Sequence, residues 1–570
     1  MIKNTESIHW KEWGEEAFQE AKETNKPVFL SISASWCHWC HVMDYESFSK
    51  PEVTRRITSD FIPIRIDSDK RPDINNRYNM GGWPTVAILN GRGKMIDGAT
   101  YLPTPQLLHM LESNLERIKS SKPSSETPQQ KPEPPNQHPN EEMVQAVAKS
   151  LERAFDRTFG GFGGPPKFPQ PWALEFALFL NSKPGNPIWK EIIQLTLENM
   201  RGGIYDHVDG GFFRYATRGD WDKPHFEKLL DLNTRMLSLY LKAYQITGEA
   251  TYRSTAQGIL DYLFTTLALE GKPWLCGSQN ADTHYYQLSD EDRMWAPPPQ
   301  IDQTIFADHN AQAASSLLLT YQAFQKTEYK EKGLHLINQL WNHFFDPQKG
   351  MFHYDDGKLS LGGYLSDQVQ MIHALLDGFE TTGNREYFNR SEKLFSLMDD
   401  FLWDEKSGGY WDLPDHQKIG DSVHIRIKPF SENSIAAMAL IRLFHFTKDK
   451  KYLHRAEATL SYLSTEFEHY KHHAAPFALA LCYFLHPPHH MTIIGNKKDP
   501  KWQELVSSAH QIKSPWKVIL PLDSKTDTKI IEQFGYKPNP TPQAYICVGE
   551  KCLPPVSGSD DLFQAFKDLA

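Results

Sequence analysis

Pro27–His41 reads PVFLSISASWCHWCH. A continuous apolar run of strand length, Pro27–Ala34, leads into two cysteines three residues apart. Such a run, bounded by turn residues, is typical of a strand buried on both faces. Cys37 falls where the following helix would begin. Its thiolate would face unpaired backbone N–H groups and the positive end of the helix dipole, which lowers a thiol pKa. Cys40 lies one turn further along and can resolve a mixed disulfide. His38 and His41 add positive charge and would stabilise the reduced form. Upstream, Lys11–Thr24 reads as an amphipathic helix. Downstream come a helix to about Phe48, a short one near Glu52–Thr58, an alternating strand Phe61–Asp67 and a strand Pro84–Leu89. A tight turn at Gly91–Lys94 then leads to a strand Met95–Ala99, and a helix capped by Thr104 runs to about Ile118.

That order, βαβ then a β-hairpin and a helix, is the thioredoxin core with an extra N-terminal helix, and it spans residues 1–118. Trp83-Pro84-Thr85 opens the strand that should face the cysteine pair. Thioredoxin folds place a cis proline there and leave backbone groups free to hold an extended peptide. The expected redox site is therefore Cys37, Cys40 and Pro84, supported by Trp36, His38, His41 and Trp83. Two other readings stay open. Cys37, Cys40 and His41 share one helical face and could supply three metal ligands, or the pair could serve domain docking. The favoured reading calls for no metal and no cofactor.

Composition bounds the rest. The 570 residues are 40% hydrophobic and 23% charged, with 61 basic against 71 acidic side chains for a net charge of −10. Mild acidity without a basic cluster argues against nucleic acid as a partner. Six cysteines are too few for a disulfide scaffold. Met1–Trp13 carries no apolar leader core, and no apolar run reaches the ~18 residues of a membrane span. A cytoplasmic protein is expected. Residues 119–140, KSSKPSSETPQQKPEPPNQHPN, read as a flexible linker because they hold almost nothing to bury.

From 141 to 486 about twelve amphipathic helices follow. Glycine-aromatic elements recur between them: FGGFGG at 159–164, DGGFFRY at 209–215, EGKPWLC at 270–276, KGMFHYDD at 349–356 and SGGYWDLPD at 407–415. Self-similarity of this kind marks stacked helical hairpins. Six hairpins can close into an (α/α)6 toroid with these loops gathered at one end; an open solenoid is the alternative. Residues 487–570 suggest a small α/β appendage. The fold class is thus multidomain: an α/β thioredoxin-like domain, an all-α toroid and the appendage.

A toroid acting on carbohydrate needs facing carboxylates among aromatic rings, and an epimerase needs acids or histidines that move a proton beside a carbonyl. The candidates are Asp206, His207 and Asp209 in IYDHVDGG, Asp222, His225 and Glu227 in WDKPHFEK, then Asp302, Asp308, Asp367 and Glu432. Helix capping is the plain structural reading for Asp302, Asp308 and Asp367. Cys547 and Cys552 flank a hairpin turn, VGEK, and could close a disulfide across it, exchange with the first pair, or stand as structural thiols.

SASWCHWCHVMDYESF, RPDINNRYNMGGWPT, GGFGGPPKFPQP, GGIYDHVDGGFFRYA, PHFEKLL, KPFSENSIAAMALIRL and QAYICVGEKCLPP together resemble the thioredoxin-domain proteins related to spermatogenesis-associated protein 20. The resemblance covers nearly the whole chain. It implies a thioredoxin-like domain joined to a six-hairpin, glycosidase-like or sugar-epimerase-like toroid. Leu229-Leu230-Asp231-Leu232 departs from that family's pattern, as does Asp302-Gln303-Thr304, while Asp302 and Asn310 persist. The expected function is thiol–disulfide redox chemistry with a thiol or disulfide protein partner, beside a toroid that binds a sugar-like ligand. The alternatives are a glycoside hydrolase or sugar epimerase regulated by the thioredoxin domain, and a non-enzymatic binding scaffold. Neither nucleic acid nor membrane is an expected partner.

Overall fold

A computed structural model of the chain describes residues 7–120, 137–183, 185–415 and 426–569. Most of the sequence-derived linker lies outside the described residues. The chain forms two compact units. One comprises Met1–Pro132 with two segments from further along, Ser278–Asp302 and Asp412–Ile427; the other holds the remaining residues. The sequence boundaries at 141, 486 and 487 therefore do not coincide with the compact units. The first of these segments holds only four-residue helices and two-residue strands, too short to give a readable period.

The first unit carries α1 (Glu15–Thr24), β1 (Val28–Ser33), α2 (His38–Met43), α3 (Pro51–Asp60), β2 (Ile62–Asp67), α4 (Pro72–Tyr78), β3 (Thr85–Leu89), β4 (Met95–Ala99) and α5 (Thr104–Ser120). Its sheet order is β2-β1-β3-β4. β1 runs parallel to β2 and antiparallel to β3, and β3 antiparallel to β4. β1 is buried from Val28 to Ile32, as expected of a run that is apolar but for Ser31. Apolar cores cover both faces of the sheet: one includes Phe18, Ile74 and Tyr78, the other Met43, Phe48, Val53, Ile57 and Leu111. Two details differ from expectation. α4 is absent from the sequence reading because seven residues give too little period to see. Thr104 is the first helical residue rather than a cap, and its hydroxyl donates to Glu46 O.

Among the described residues, twelve long helices of the second unit form pairs: α6 (Glu141–Ala154), α7 (Pro171–Asn181), α8 (Ile188–Ile204), α9 (Leu230–Thr247), α10 (Ala250–Tyr262), α11 (Ala307–Phe324), α12 (Thr327–Phe344), α13 (Leu365–Thr382), α14 (Arg385–Leu402), α15 (Phe430–Thr447), α16 (Lys450–Leu463) and α17 (Ala475–Leu485). α7, α9, α11, α13, α15 and α17 each pack on the next, and α17 packs on α7, so the inner ring closes. The other six pack outside it. Two inner helices are apolar nearly all round, PWALEFALFLN of α7 and APFALALCYFL of α17, because both sides are covered. Four inner helices leave through a left-handed residue, Gly248, Gln325, Gly383 or Lys448. The ring is an (α/α)6 toroid.

The same unit ends in β5 (His489–Gly495), α18 (Pro500–Gln511), β6 (Lys517–Asp523), α19 (Thr528–Gln533), β7 (Gln543–Val548), β8 (Lys551–Cys552) and α20 (Ser559–Leu569). Among the described residues no helix is long and apolar enough to cross a membrane.

Candidate functional site

Cys37 is the N-cap of α2, in extended backbone conformation, and its sulfur accepts the N–H of Cys40 at 3.2 Å. Cys37 and Cys40 are joined in a disulfide. The backbone N–H groups of Cys40 and His41 both reach Cys37 O. A thiolate at this position would face the helix start, as the sequence implies. Both cysteines are only 3% exposed. Trp36 meets Trp83 edge to face with ring centroids 5.7 Å apart, and the Trp83–Pro84 peptide bond is cis. Trp36 Nε1 donates to Asp69 at 2.7 Å, and Trp83 Nε1 to Asn75 at 3.2 Å. His38 is half-buried and His41 exposed, with His41 Nε2 3.0 Å from Ser35 O. The two sulfurs are bonded to each other and His41 faces a carbonyl oxygen.

The loop before the cysteines is pinned by carboxylates that the sequence reading did not choose. Ser35 N donates to Asp67 Oδ2, and the N–H groups of Asp69 and Lys70 donate to Asp67 Oδ1. Burial, then the Asp69 charge, push the Asp67 carboxyl up to about 7 against those hydrogen bonds. A raised carboxyl favours the folded state in its protonated form. Its contribution is complete below about pH 4 and is lost as pH rises through about 7. Asp67→Asn is expected to flatten the fall in melting temperature over that window; an unchanged slope would remove Asp67 as its source.

Asp302 corrects an assignment. It stands with the thioredoxin-like unit, where Ser35 Oγ donates to its Oδ2 at 2.6 Å. It is not a member of the toroid's acid set. A carboxylate 267 positions from Ser35 gives no sign in sequence of reaching that loop.

In the toroid the glycine-aromatic elements turn out to be closures of the hairpin ends. Phe155 bridges to Phe162, Tyr205 to Phe212, Ala268 to Leu275 and Trp403 to Tyr410. Asp156, Asp206 and Asp404 each accept backbone N–H groups of their own turn. Each also takes an ammonium: Lys167, Lys228 and Lys428 reach them at 2.6, 2.7 and 2.6 Å. These lysines also donate to the carbonyls of Gly219, Gly210 and Gly408 respectively. From the first turn of the next inner helix, the side-chain oxygens of Asn233, Asn310, Gln368 and Asn433 accept the N–H groups of Phe212, Leu275, Met351 and Tyr410. Gly210 has φ +75°, and a Cβ there would stand 2.3 Å from Gly258 O. Only glycine lets the turn lie against the neighbouring helix. Asp206 is thus a structural acid, and the persistence of Asn310 has the same explanation.

The remaining candidates separate. Asp222 is exposed beside Arg218, and His207 is exposed with Nε2 on Arg201 O. Asp209 is half-buried on the same turn as Asp206. His225 Nδ1 lies 3.4 Å from Glu227, and Tyr215 stacks on the His225 ring at 4.4 Å. Burial acts to raise Glu227, but His225 and Arg214 outweigh it and hold the carboxyl below its usual range. Glu227 Oε2 is buried without a hydrogen-bond partner. At the start of α11 and α13, Asp308 N donates to Asp367, and His353 Nδ1 sits 3.0 Å from Asp367 Oδ2. Burial pushes Asp367 up to about 7 against the pull of His353. Asp308 is lowered, because His309 and His353 overcome its burial. Asp308, His353 and Asp367 bring one donor atom each within 4.8 Å of one another, the donor chemistry of a small divalent cation. Glu432, at the start of α15, is raised by burial and by Asp308, against Arg235. His353 was missed because a histidine inside a strand carries no motif.

None of these candidates lines the ring's cavity. That cavity, about 310 Å³, is walled by mid-helix side chains of the inner ring and closed by residues 510–519. Arg442 donates to Asp377 and Glu380 at 2.6 and 3.2 Å, and Lys242 bonds Glu175. Burial lifts Glu380 to about 7 and, with the Arg442 charge, drops His373 to about 4. Trp172, with Arg235 5.0 Å over its ring, and Tyr483, stacked on Trp516 at 4.1 Å, supply aromatic faces. The signal that could have found this set is a charge inside an otherwise apolar inner helix, such as Arg442 in IAAMALIRLF.

The chain therefore combines a thioredoxin-like unit bearing a Cys-x2-Cys disulfide with an (α/α)6 toroid. Comparison with known proteins agrees for the first unit. Residues 2–126 match the family Thioredox_DsbH, described as "Protein of unknown function, DUF255". Spermatogenesis-associated protein 20 of Homo sapiens is 23% identical over 97% of this chain and 89% of its own length. A crystal structure of D-mannose isomerase superposes with a TM-score of 0.48 at 13% identity, covering 61% of this chain and 98% of that one. Cellobiose 2-epimerase from Bacillus thermoamylovorans B4167 gives 0.47 at 16% identity, over 57% and 87%.

Proposed function

We propose that the protein is a cytoplasmic thiol–disulfide oxidoreductase with Cys37 as nucleophile and Cys40 as resolving thiol. One observation carries the reading: Cys37 occupies the N-cap of α2 with its sulfur on the Cys40 N–H. Reduction of the pair by a dithiol frees the Cys37 thiolate. That thiolate attacks a disulfide of a client protein, and the mixed disulfide forms as one client sulfur leaves. Cys40 then attacks Cys37, releasing the second client sulfur and closing the pair again. A client peptide would lie against the half-buried Trp83 at the Pro84 segment, with the buried Trp36 packed behind Trp83. At 3% exposure the pair needs the loop at Ser35 to yield before a client reaches it. The test is turnover of a protein disulfide such as insulin by the full chain, with and without Cys37.

A second reading concerns the toroid. The cavity has the volume of a monosaccharide-sized ligand site, with aromatic faces, amides from Gln312 and Gln370, and paired charges. We assign it to a polar, sugar-like ligand. A panel of neutral and charged monosaccharides is expected to raise the melting temperature of the full chain for at least one member, and Arg442→Met should cancel that rise. No shift with any sugar at millimolar concentration would reject the assignment.

A further inference from the structure

The C-terminal appendage repeats the topology of the N-terminal unit. Its sheet order is β6-β5-β7-β8, matching β2-β1-β3-β4 strand for strand. β5 is parallel to β6 and antiparallel to β7, and β7 is antiparallel to β8. α18 and α20 pack together on one core with Met491, Ile493, Ile519 and Ile546. α3 and α5 do the same in the first unit. Residues 489–569 are thus a second thioredoxin-type βαβ-ββα module. At the turn where the first module keeps its cysteines, this one has Asn496-Lys497-Lys498-Asp499, and Asp499 caps α18 through Lys501 N. The redox loop of the fold is blank here.

Sulfur stands elsewhere on this module. Cys547 on β7 and Cys552 on β8 are paired directly across the strands and form a disulfide. Cys547 is 8% exposed, whereas Cys552 is exposed. Every other cysteine in the chain is buried, and burial pushes the Cys482 thiol up to about 12. Cys552 is therefore the most accessible cysteine in the protein. The Tyr536 hydroxyl lies 3.7 Å from Cys547 Sγ. A staple across a five-residue separation restrains the unfolded chain little, and the hairpin already holds the two strands together.

We propose that Cys547–Cys552 is a second thiol–disulfide centre, open to a dithiol at the Cys552 sulfur. A thiolate of the dithiol attacks Cys552 Sγ; the S–S bond breaks, and Cys547 leaves as a thiolate that accepts the Tyr536 O–H. The second thiol of the dithiol then attacks its own partner sulfur in the mixed disulfide. Cys552 is released, and the dithiol departs as a cyclic disulfide. Two electrons pass to the pair, and the two protons lost by the dithiol balance those the cysteines take up.

The experiment uses the full chain carrying Cys37→Ser and Cys40→Ser, so it stands apart from the reading of the first pair. The protein is equilibrated in graded mixtures of reduced and oxidised dithiothreitol, quenched with an alkylating reagent and mapped by mass spectrometry. Circular dichroism is recorded in parallel. The expected result is paired alkylation of Cys547 and Cys552 with the native spectrum retained. With Cys547→Ser added, Cys552 should take up glutathione from its disulfide at least ~10-fold faster than Cys547 does in the Cys552→Ser chain, because access and thiolate character set the rate. Alkylation that appears only as the spectrum is lost, or equal uptake by the two single thiols, would make the pair a structural staple and overturn the proposal.

Discussion

Cys37→Ser is expected to cut insulin reduction by the full chain at least ~100-fold, since a hydroxyl at that position cannot replace a thiolate nucleophile. The serine oxygen can still cap α2, because Ser is among the preferred N-cap residues. Measured against the reduced parent, the loss should therefore come without a drop in melting temperature. Cys40→Ser should behave differently: one attack still occurs, and a mixed disulfide at Cys37 accumulates for want of a resolving thiol. Mass spectrometry of the trapped species separates the two variants. If Cys37→Ser leaves turnover intact while Cys547→Ser removes it, the redox work belongs to the C-terminal pair.

The second large effect is on stability. Lys228→Met should destabilise the toroid by about 3–5 kcal/mol, because it leaves a buried carboxylate without its countercharge. Lys228 is fully buried, Asp206 is 4% exposed, and their contact is 2.7 Å. The substitution also strips Gly210 O of its donor. Pairing Lys228→Met with Asp206→Leu removes both charges and should recover much of the loss, since an apolar pair of similar volume is tolerated where a lone charge is not. Urea unfolding followed by circular dichroism measures both chains. A Lys228→Met protein as stable as the parent would mean that the ammonium is not what holds the turn closed. The same logic extends to Lys167 and Lys428, whose ion pairs repeat the arrangement.

Much of this was legible in the residues, and the limits have identifiable causes. The run Val28–Ile32, apolar but for Ser31, reads as a strand covered on both faces, and it is buried throughout. The twelve helices were visible because each inner or outer face repeats with helical period. The glycine-aromatic turns were visible as repeats, yet their meaning was not. Asp206 has the look of a catalytic acid in IYDHVDGG, but its partner Lys228 lies twenty-two residues on. Asp302 was grouped with the toroid acids because it sits between toroid helices in sequence, and its hydrogen bond to Ser35 spans 267 positions. The thioredoxin order of the appendage was hidden by the absence of a cysteine motif at its turn, although its strands could be seen.

The order of residues determined the local elements by itself: periodicity, glycine at positive φ and helix starts act over a few neighbours, and these forces are readable along the chain. Which carboxylate meets which ammonium, which acid reaches the cysteine loop and which charges wall the cavity were decided only in three dimensions. Those pairings join residues far apart in sequence. Desolvation, which sets their energy, exists only once the surrounding surfaces have closed.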